Sequence, residues 1–165
     1  MTHAIDDALA CQFTLTRVFE APRDLVFKVW TDPKYVALWW GIEGATNPRC
    51  EMDVRPGGAW RIDMRTPGST VHPNMGVFHE VVRNERLVYS DIPDPASPAK
   101  DGRPPGQLLH TIVFEDGPEG STKVSITVRA ETADRCATLV KQGMREGIGQ
   151  GLDRLARLLA ELRAR

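Results

Sequence analysis

Apolar and polar residues alternate along "CQFTLTRVFEAP", where Phe13, Leu15, Arg17 and Phe19 fall on one side and Thr14, Thr16 and Val18 on the other. A two-residue period rich in strand formers predicts an opening strand. The period then changes. Pro22 suits the first turn of a helix, and Leu25, Val26, Val29 and Trp30 recur at helical spacing until "TDP" interrupts them. Asp32 before Pro33 restarts a second short helix, "PKYVALWW", which Gly41 ends. From about residue 49 alternation returns in "RCEMDV", "AWRIDMR", "MGVFHEVVR" and "RLVYSDI", separated by "RPGG", "TPGSTVHPN" and "NE", and these predict an antiparallel meander. "LLHTIVFED" and "STKVSITVRAET" add a hairpin around "GPEG". After Asp134, a plausible N-cap, Leu139, Val140, Met144, Ile148, Leu152, Leu155, Leu159 and Leu162 recur at three- and four-residue steps, so one long amphipathic helix is expected to the end.

The order is strand, two helices, about six strands and one long helix, which implies an α+β domain with the helix laid across a curved antiparallel sheet. "PDPASPAKDGRPPGQ" holds five prolines in fifteen residues and is expected to be an exposed loop within the domain. No internal repeat and no sustained heptad is present.

Composition narrows the function classes. With 165 residues, 41% hydrophobic and 26% charged, the chain fits one soluble globular domain with a real core. No apolar run approaches the roughly 20 residues of a membrane span, and the first residues lack a secretory signal, so a cytoplasmic protein without membrane association is expected. Lys and Arg total 21 against 22 for Asp and Glu, without a dense basic run, which argues against nucleic-acid binding. Cys11, Cys50 and Cys136 are far apart and odd in number, and are expected to be buried, reduced thiols; no metal or other cofactor is implied.

Two glycine clusters carry the search for chemistry. "VRPGGAWRIDM" fits neither phosphate-loop spacing, because Gly57 and Gly58 lead into a strand; the pair predicts a tight turn. The following strand then places Trp60, Ile62 and Met64 on one face, toward the helix. In "KQGMREGIGQGLD", Gly143, Gly147 and Gly151 lie four residues apart with Gly149 beside them. Each glycine inside a helix costs about 1 kcal/mol relative to alanine, so compensation is expected. Close packing of the helix on the sheet is one explanation; empty volume for a ligand is the other, and Trp30, Trp39, Trp40, Trp60, Phe78 and Tyr89 are numerous enough to line it. With Ile62, Met64, Met144, Gly147 and Ile148 these aromatics form the candidate binding set. Candidate catalytic residues are weaker. His79 and His110 sit in predicted strands and are candidates to point inward, with Glu80 and Tyr89 as further candidates, and no metal spacing or nucleophile elbow is present.

The blocks "APRDLVFKVWTDPKYVALWWG", "EMDVRPGGAWRIDM", "MGVFHEVVRNERLVYSD", "STKVSITV" and "GMREGIGQGLDRLARLL", in this order, resemble the START-like superfamily. They are most similar to the branch named after the activator of the heat-shock-protein-90 ATPase, over roughly residues 12 to 163. The paired Trp39 and Trp40 match that pattern, as do Asp53, Arg55, Gly57 and Gly58, and then Gly76, Phe78 and Glu80. The resemblance implies a helix-grip fold, with residues 1–11 as a tail and 12–165 as a single domain. It also implies a cavity between sheet and helix, of the kind that takes apolar molecules across the superfamily. Two departures stand out. Family members commonly carry Gly-Trp where this chain has Gly147 and Ile148, and the loop from Pro93 to Gln107 looks long enough to form a flap.

The leading expectation is therefore a non-catalytic binder of a small apolar or aromatic molecule. An enzyme resembling polyketide cyclases or aromatases is the alternative, with His79, His110, Glu80 and Tyr89 as first suspects. A chaperone cofactor with a stress-response role ranks lowest, because the family's eukaryotic activators carry a further domain for which this length has no room. Homodimerisation through the sheet or the loop is compatible with the sequence.

Overall fold

The computed structural model describes residues 12–68, 70–91 and 108–164. The expected tail 1–11, which includes Cys11, and the whole proline-rich loop 93–107 lie outside the described residues. Strand β1 (Gln12–Phe19) leads to helices α1 (Arg23–Thr31) and α2 (Pro33–Trp39). Strands β2 (Thr46–Met52), β3 (Ala59–Arg65), β4 (Val71–Val82), β5 (Arg86–Asp91), β6 (Leu109–Asp116) and β7 (Thr122–Arg129) follow, then α3 (Ala133–Lys141) and α4 (Met144–Ala164). The strands form one antiparallel sheet in the order β1-β7-β6-β5-β4-β3-β2. The meander expected from the alternation is thus closed on one side by β1, which pairs with β7 from Gln12↔Arg129 to Phe19↔Thr122.

Local chemistry sets the two short helices. Pro22 caps α1 in an extended conformation, just ahead of the helix, and Val26, Phe27, Val29 and Trp30 form the buried face of α1. The Asp32 carboxylate accepts from the Lys34 amide at the start of α2, with Pro33 as the first helical residue. The Trp39 indole donates to the Val29 carbonyl at 2.8 Å, and the Trp30 and Trp39 rings meet at 4.9 Å. These contacts fix α2 against α1 and set the tryptophans beneath the sheet's inner face.

Three expectations change. Strand β4 begins at Val71 and absorbs "VHPN", which reads as loop because proline is rare in strands. Pro73 pairs with Asp63 of β3, in a stretch of β4 whose described partners all belong to β3, so its missing N–H interrupts no ladder with β5. The single long helix is two helices. Gln142 and Gly143 end α3, with the Gly143 amide donating to the Val140 carbonyl and φ at +92°, the left-handed geometry that glycine adopts most readily. Gly143 therefore marks a break instead of interrupting a helix. Finally, the cap of α3 is Thr132, whose hydroxyl accepts from the Arg135 amide, while Asp134 lies in the first turn.

The core divides along α4. Its Leu152, Leu155, Leu158 and Leu159 pack with Phe13, Phe19, Val26, Ile112, Phe114 and Val128 in the main cluster. A second cluster of Val36, Trp60, Ile62 and Phe78 lies toward β3 and β4.

Candidate functional site

Trp60 is placed by backbone that tolerates no side chain beside it. The β2–β3 turn is closed by the Asp53 amide donating to Ala59 and the Gly58 amide donating to Arg55, and a Cβ at Gly58 would overlap the Asp53 carbonyl. The Gly57 amide also donates to the Phe78 carbonyl, and the Phe78 amide to Gly58, which ties the turn to β4. Across the ladder Trp60 faces Gly76, where a Cβ would stand 2.6 Å from the indole ring. Glycine at 76 thus lets the ring lie over β4.

Between the sheet and the junction of α3 with α4 lies a cavity of about 430 Å³. Its walls include Trp30, Trp39, Trp40 and Trp60, which are all four tryptophans of the chain. Met64 joins them from β3, and Met144, Gly147 and Ile148 close it from α4. Ile62 and Phe78 fall outside this space; they line an adjoining void of about 30 Å³ with Val36, Met52 and Leu87, and belong to the second core cluster.

The two explanations for the helix glycines each apply at a different residue. A Cβ at Gly151 would come 3.4 Å from the Gly41 carbonyl oxygen, so there the helix approaches backbone. A Cβ at Gly147 would make only an ordinary 3.6 Å contact with Ile42, and beyond it lies cavity. The Gly41–Ile42 backbone is held to α4 by Arg154. Its guanidinium donates to the carbonyls of Leu38, Trp40, Gly41, Ile42 and Ala45 at 2.8–3.2 Å. Partial burial lowers the pKa of Arg154, with Glu43 acting in the opposite sense. Gln150 accepts from the Glu43 amide, and Arg157 pairs with the Glu43 carboxylate at 2.6 Å. One rim of the cavity is thereby anchored.

The cavity has one polar end. His110 Nε2 lies 3.1 Å from Asp91 Oδ1, and the imidazole stacks on Tyr89 at 4.7 Å with the ring planes 13° apart. The register that pairs Tyr89 with His110 makes the stack. Burial first, and then the Asp91 charge, push the Tyr89 phenol well above its ordinary pKa, so it stays protonated at neutral pH. Asn74 also lines this space; its Nδ2 donates to the Ile62 and His72 carbonyls. The Trp60 indole N–H is buried without a partner.

Of the candidate catalytic residues, His110 and Tyr89 lie at the cavity, whereas His79 and Glu80 stand on the outer face of the sheet. The register shifts between Phe78 and Glu80, and this bulge sets two consecutive side chains outward. His79 Nε2 reaches the Ser90 hydroxyl at 2.7 Å, and Glu80 pairs with Arg86 at 3.2 Å. Asp91, Asn74 and the Arg154 clamp were missed from sequence. No spacing rule links Asp91 to His110, because their proximity is created by strand register. The cysteines offer little chemistry: Cys136 is buried, and burial pushes the half-buried Cys50 thiol up to about 11. Among the described residues no cluster of His, Cys, Asp and Glu could hold a metal ion, and no helix is long and apolar enough to cross a membrane.

An antiparallel sheet, a long C-terminal helix and two short helices after strand one define an α+β helix-grip domain of the START-like superfamily, a fold of ligand-binding domains. The family model described as activator of Hsp90 ATPase homolog 1-like protein matches residues 20–160, and the chain belongs to that family. A solved structure from Nitrosomonas europaea is 24% identical, covers 94% of this chain and 98% of its own, and superposes with a TM-score of 0.79. One from Chromobacterium violaceum is 26% identical, with coverages of 90% and 96% and a TM-score of 0.69. A third, from Rhodobacter sphaeroides, is 19% identical, with coverages of 93% and 94% and a TM-score of 0.79. No curated protein matches the chain.

Proposed function

We propose that this protein binds a small apolar or aromatic molecule between its sheet and the N-terminal half of α4. The observation that carries the reading is the cavity itself. Its volume of about 430 Å³ falls within the range of small-molecule sites, and aromatic walls with a few convergent polar groups are the usual composition of such sites. Trp30, Trp39, Trp40, Trp60, Met64, Met144, Gly147 and Ile148 are the contact residues, with Ile62 and Phe78 supporting Trp60 from behind. The binder acts in the cytoplasm, a placement consistent with the lack of a membrane-crossing helix among the described residues.

Because every tryptophan lines the cavity, intrinsic fluorescence is a direct reporter. Titration with lipids and neutral aromatic compounds is expected to give a saturable change in emission together with a raised melting temperature. Gly147→Ala should retain the response, since its Cβ meets only Ile42 at 3.6 Å, and Gly147→Leu should suppress it by filling the space. If no compound moves either signal, or Gly147→Leu responds like the parent protein, the binding proposal is wrong.

The Asp91–His110 contact favours a second reading, an enzyme resembling polyketide cyclases in which His110 moves a proton and Asp91 orients it. In that case His110→Ala abolishes turnover of a poly-β-keto substrate while His79→Ala leaves it intact. Equal loss in both variants would remove His110 from that role.

A further inference from the structure

We propose that the cavity selects uncharged aromatic molecules bearing a hydroxyl donor and rejects those bearing a carboxylate, with Asp91 as the specificity-determining residue. The inference rests on the binding function proposed above and concerns which ligands that site accepts. Among the described residues that line the cavity, Asp91 is the only carboxylate and His110 the only imidazole, and neither lysine nor arginine is present. The pair is electrically neutral when the imidazole is protonated and carries one negative charge when it is not. In neither state does it offer a net cation to an anionic ligand.

The hydrogen-bonding groups point the same way. With Asp91 ionised, the 3.1 Å contact requires a proton on His110 Nε2, so in the neutral imidazole Nδ1 is an acceptor. The carboxylate has lone pairs beyond the one that His110 uses. The Asn74 amide protons go to the Ile62 and His72 carbonyls, so its oxygen is what it can present. This end is therefore rich in acceptors, and a ligand hydroxyl supplies the donor they lack. The Tyr89 hydroxyl and the unpartnered Trp60 N–H remain to donate to the ligand oxygen. A carboxylate, by contrast, brings a second anion against Asp91, whose side chain is partly buried, and like charges brought together there repel.

The test is displacement of the neutral fluorophore N-phenyl-1-naphthylamine by 2-naphthol and by 2-naphthoate at neutral pH. The two competitors share a ring system and differ in the charge and hydrogen-bonding character of one substituent. 2-Naphthol is expected to compete at least about tenfold better than 2-naphthoate. Asp91→Asn should shrink that ratio several-fold by improving 2-naphthoate, and Asp63→Asn, which removes a carboxylate from the opposite face, should leave it unchanged. Melting curves establish that each variant is folded, and the ratio in the parent protein stands as a test should Asp91→Asn fail to fold. If the fluorophore binds and 2-naphthoate competes as well as 2-naphthol, or the ratio is the same in Asp91→Asn, the selectivity proposal fails while the binding function stands. If neither the fluorophore nor 2-naphthol binds, both fail.

Discussion

The two halves of α4 share one amphipathic pattern and meet different surroundings. From Leu152 onward, Leu152, Leu155, Leu158 and Leu159 are each 8% exposed or less and interlock with the β1, β6 and β7 side chains of the main core. From Met144 to Ile148 the same inward face is only half-buried, and it borders the cavity. Side-chain volume makes the difference. Leucines fill the C-terminal half to core density, whereas in the N-terminal half Gly147 leaves a gap and Met144 is flexible enough to adjust to whatever occupies it. The boundary is Gly151 and Arg154, where the helix approaches the Gly41 backbone and clamps five carbonyls of the 38–45 segment. One half stabilises the fold, and the other leaves space within it.

Leu155→Ala, in the packed half, should break this comparison hardest. Leu155 is fully buried, and a leucine truncated in such surroundings costs about 3 kcal/mol or more. Urea unfolding should show a lower midpoint with an unchanged slope, while the surviving native protein binds a neutral aromatic probe as before. Loss of probe affinity in the folded variant would mean that the two halves are not energetically separate.

Arg154→Ala should follow at about 2 kcal/mol, since a charged donor serving several carbonyls is lost and those carbonyls must find water. Hydrogen exchange is expected to rise in residues 41–45 more than in the leucine half. Arg154→Lys should rescue little, because an ammonium lacks the planar fork that reaches five separated oxygens. Full rescue by lysine would reduce the clamp to a point charge.

Gly147→Ala carries a smaller effect of opposite sign. The position is inside α4 and accepts a Cβ, so alanine should stabilise by up to about 1 kcal/mol through helix propensity. A raised melting temperature with binding retained is the expected pair of results. Gly151→Ala tests the contrast: its Cβ would press on the Gly41 carbonyl at 3.4 Å, so it should gain less or lose stability. Equal gains at both sites would show that the close approach at Gly151 has no energetic consequence.

These effects also show why the sequence was readable in places and opaque in others. The α1–α2 break, the extent of β3 and the closing hairpin follow from Pro33, from the alternation of "AWRIDMR" and from the turn around "GPEG", all of them local signals. The Gly143 break was hidden because apolar spacing continues through Leu139, Met144 and Ile148, and periodicity does not register one left-handed residue. The tryptophans could be grouped from composition and the resemblance to relatives. The polar end of the cavity could not, because Asp91 and His110 come from strands 18 residues apart at nearest, and only the register of β5 on β6 brings them together.

The smallest expected effect lies on the sheet's other face. His79 would sit inward or outward according to strand phase, and the bulge after Phe78 sets it outward beside Glu80. His79→Ala removes one hydrogen bond to Ser90 and should cost about 1 kcal/mol or less; Glu80→Gln weakens a half-exposed ion pair with Arg86 and should cost less still. Neither should change probe affinity by more than about twofold, because neither side chain reaches the cavity. His110→Ala removes the Asp91 contact and the stack on Tyr89, and is expected to weaken 2-naphthol binding in the same assay. Equal loss of binding in His79→Ala and His110→Ala would contradict the division of the sheet into a ligand-facing side and a solvent-facing one.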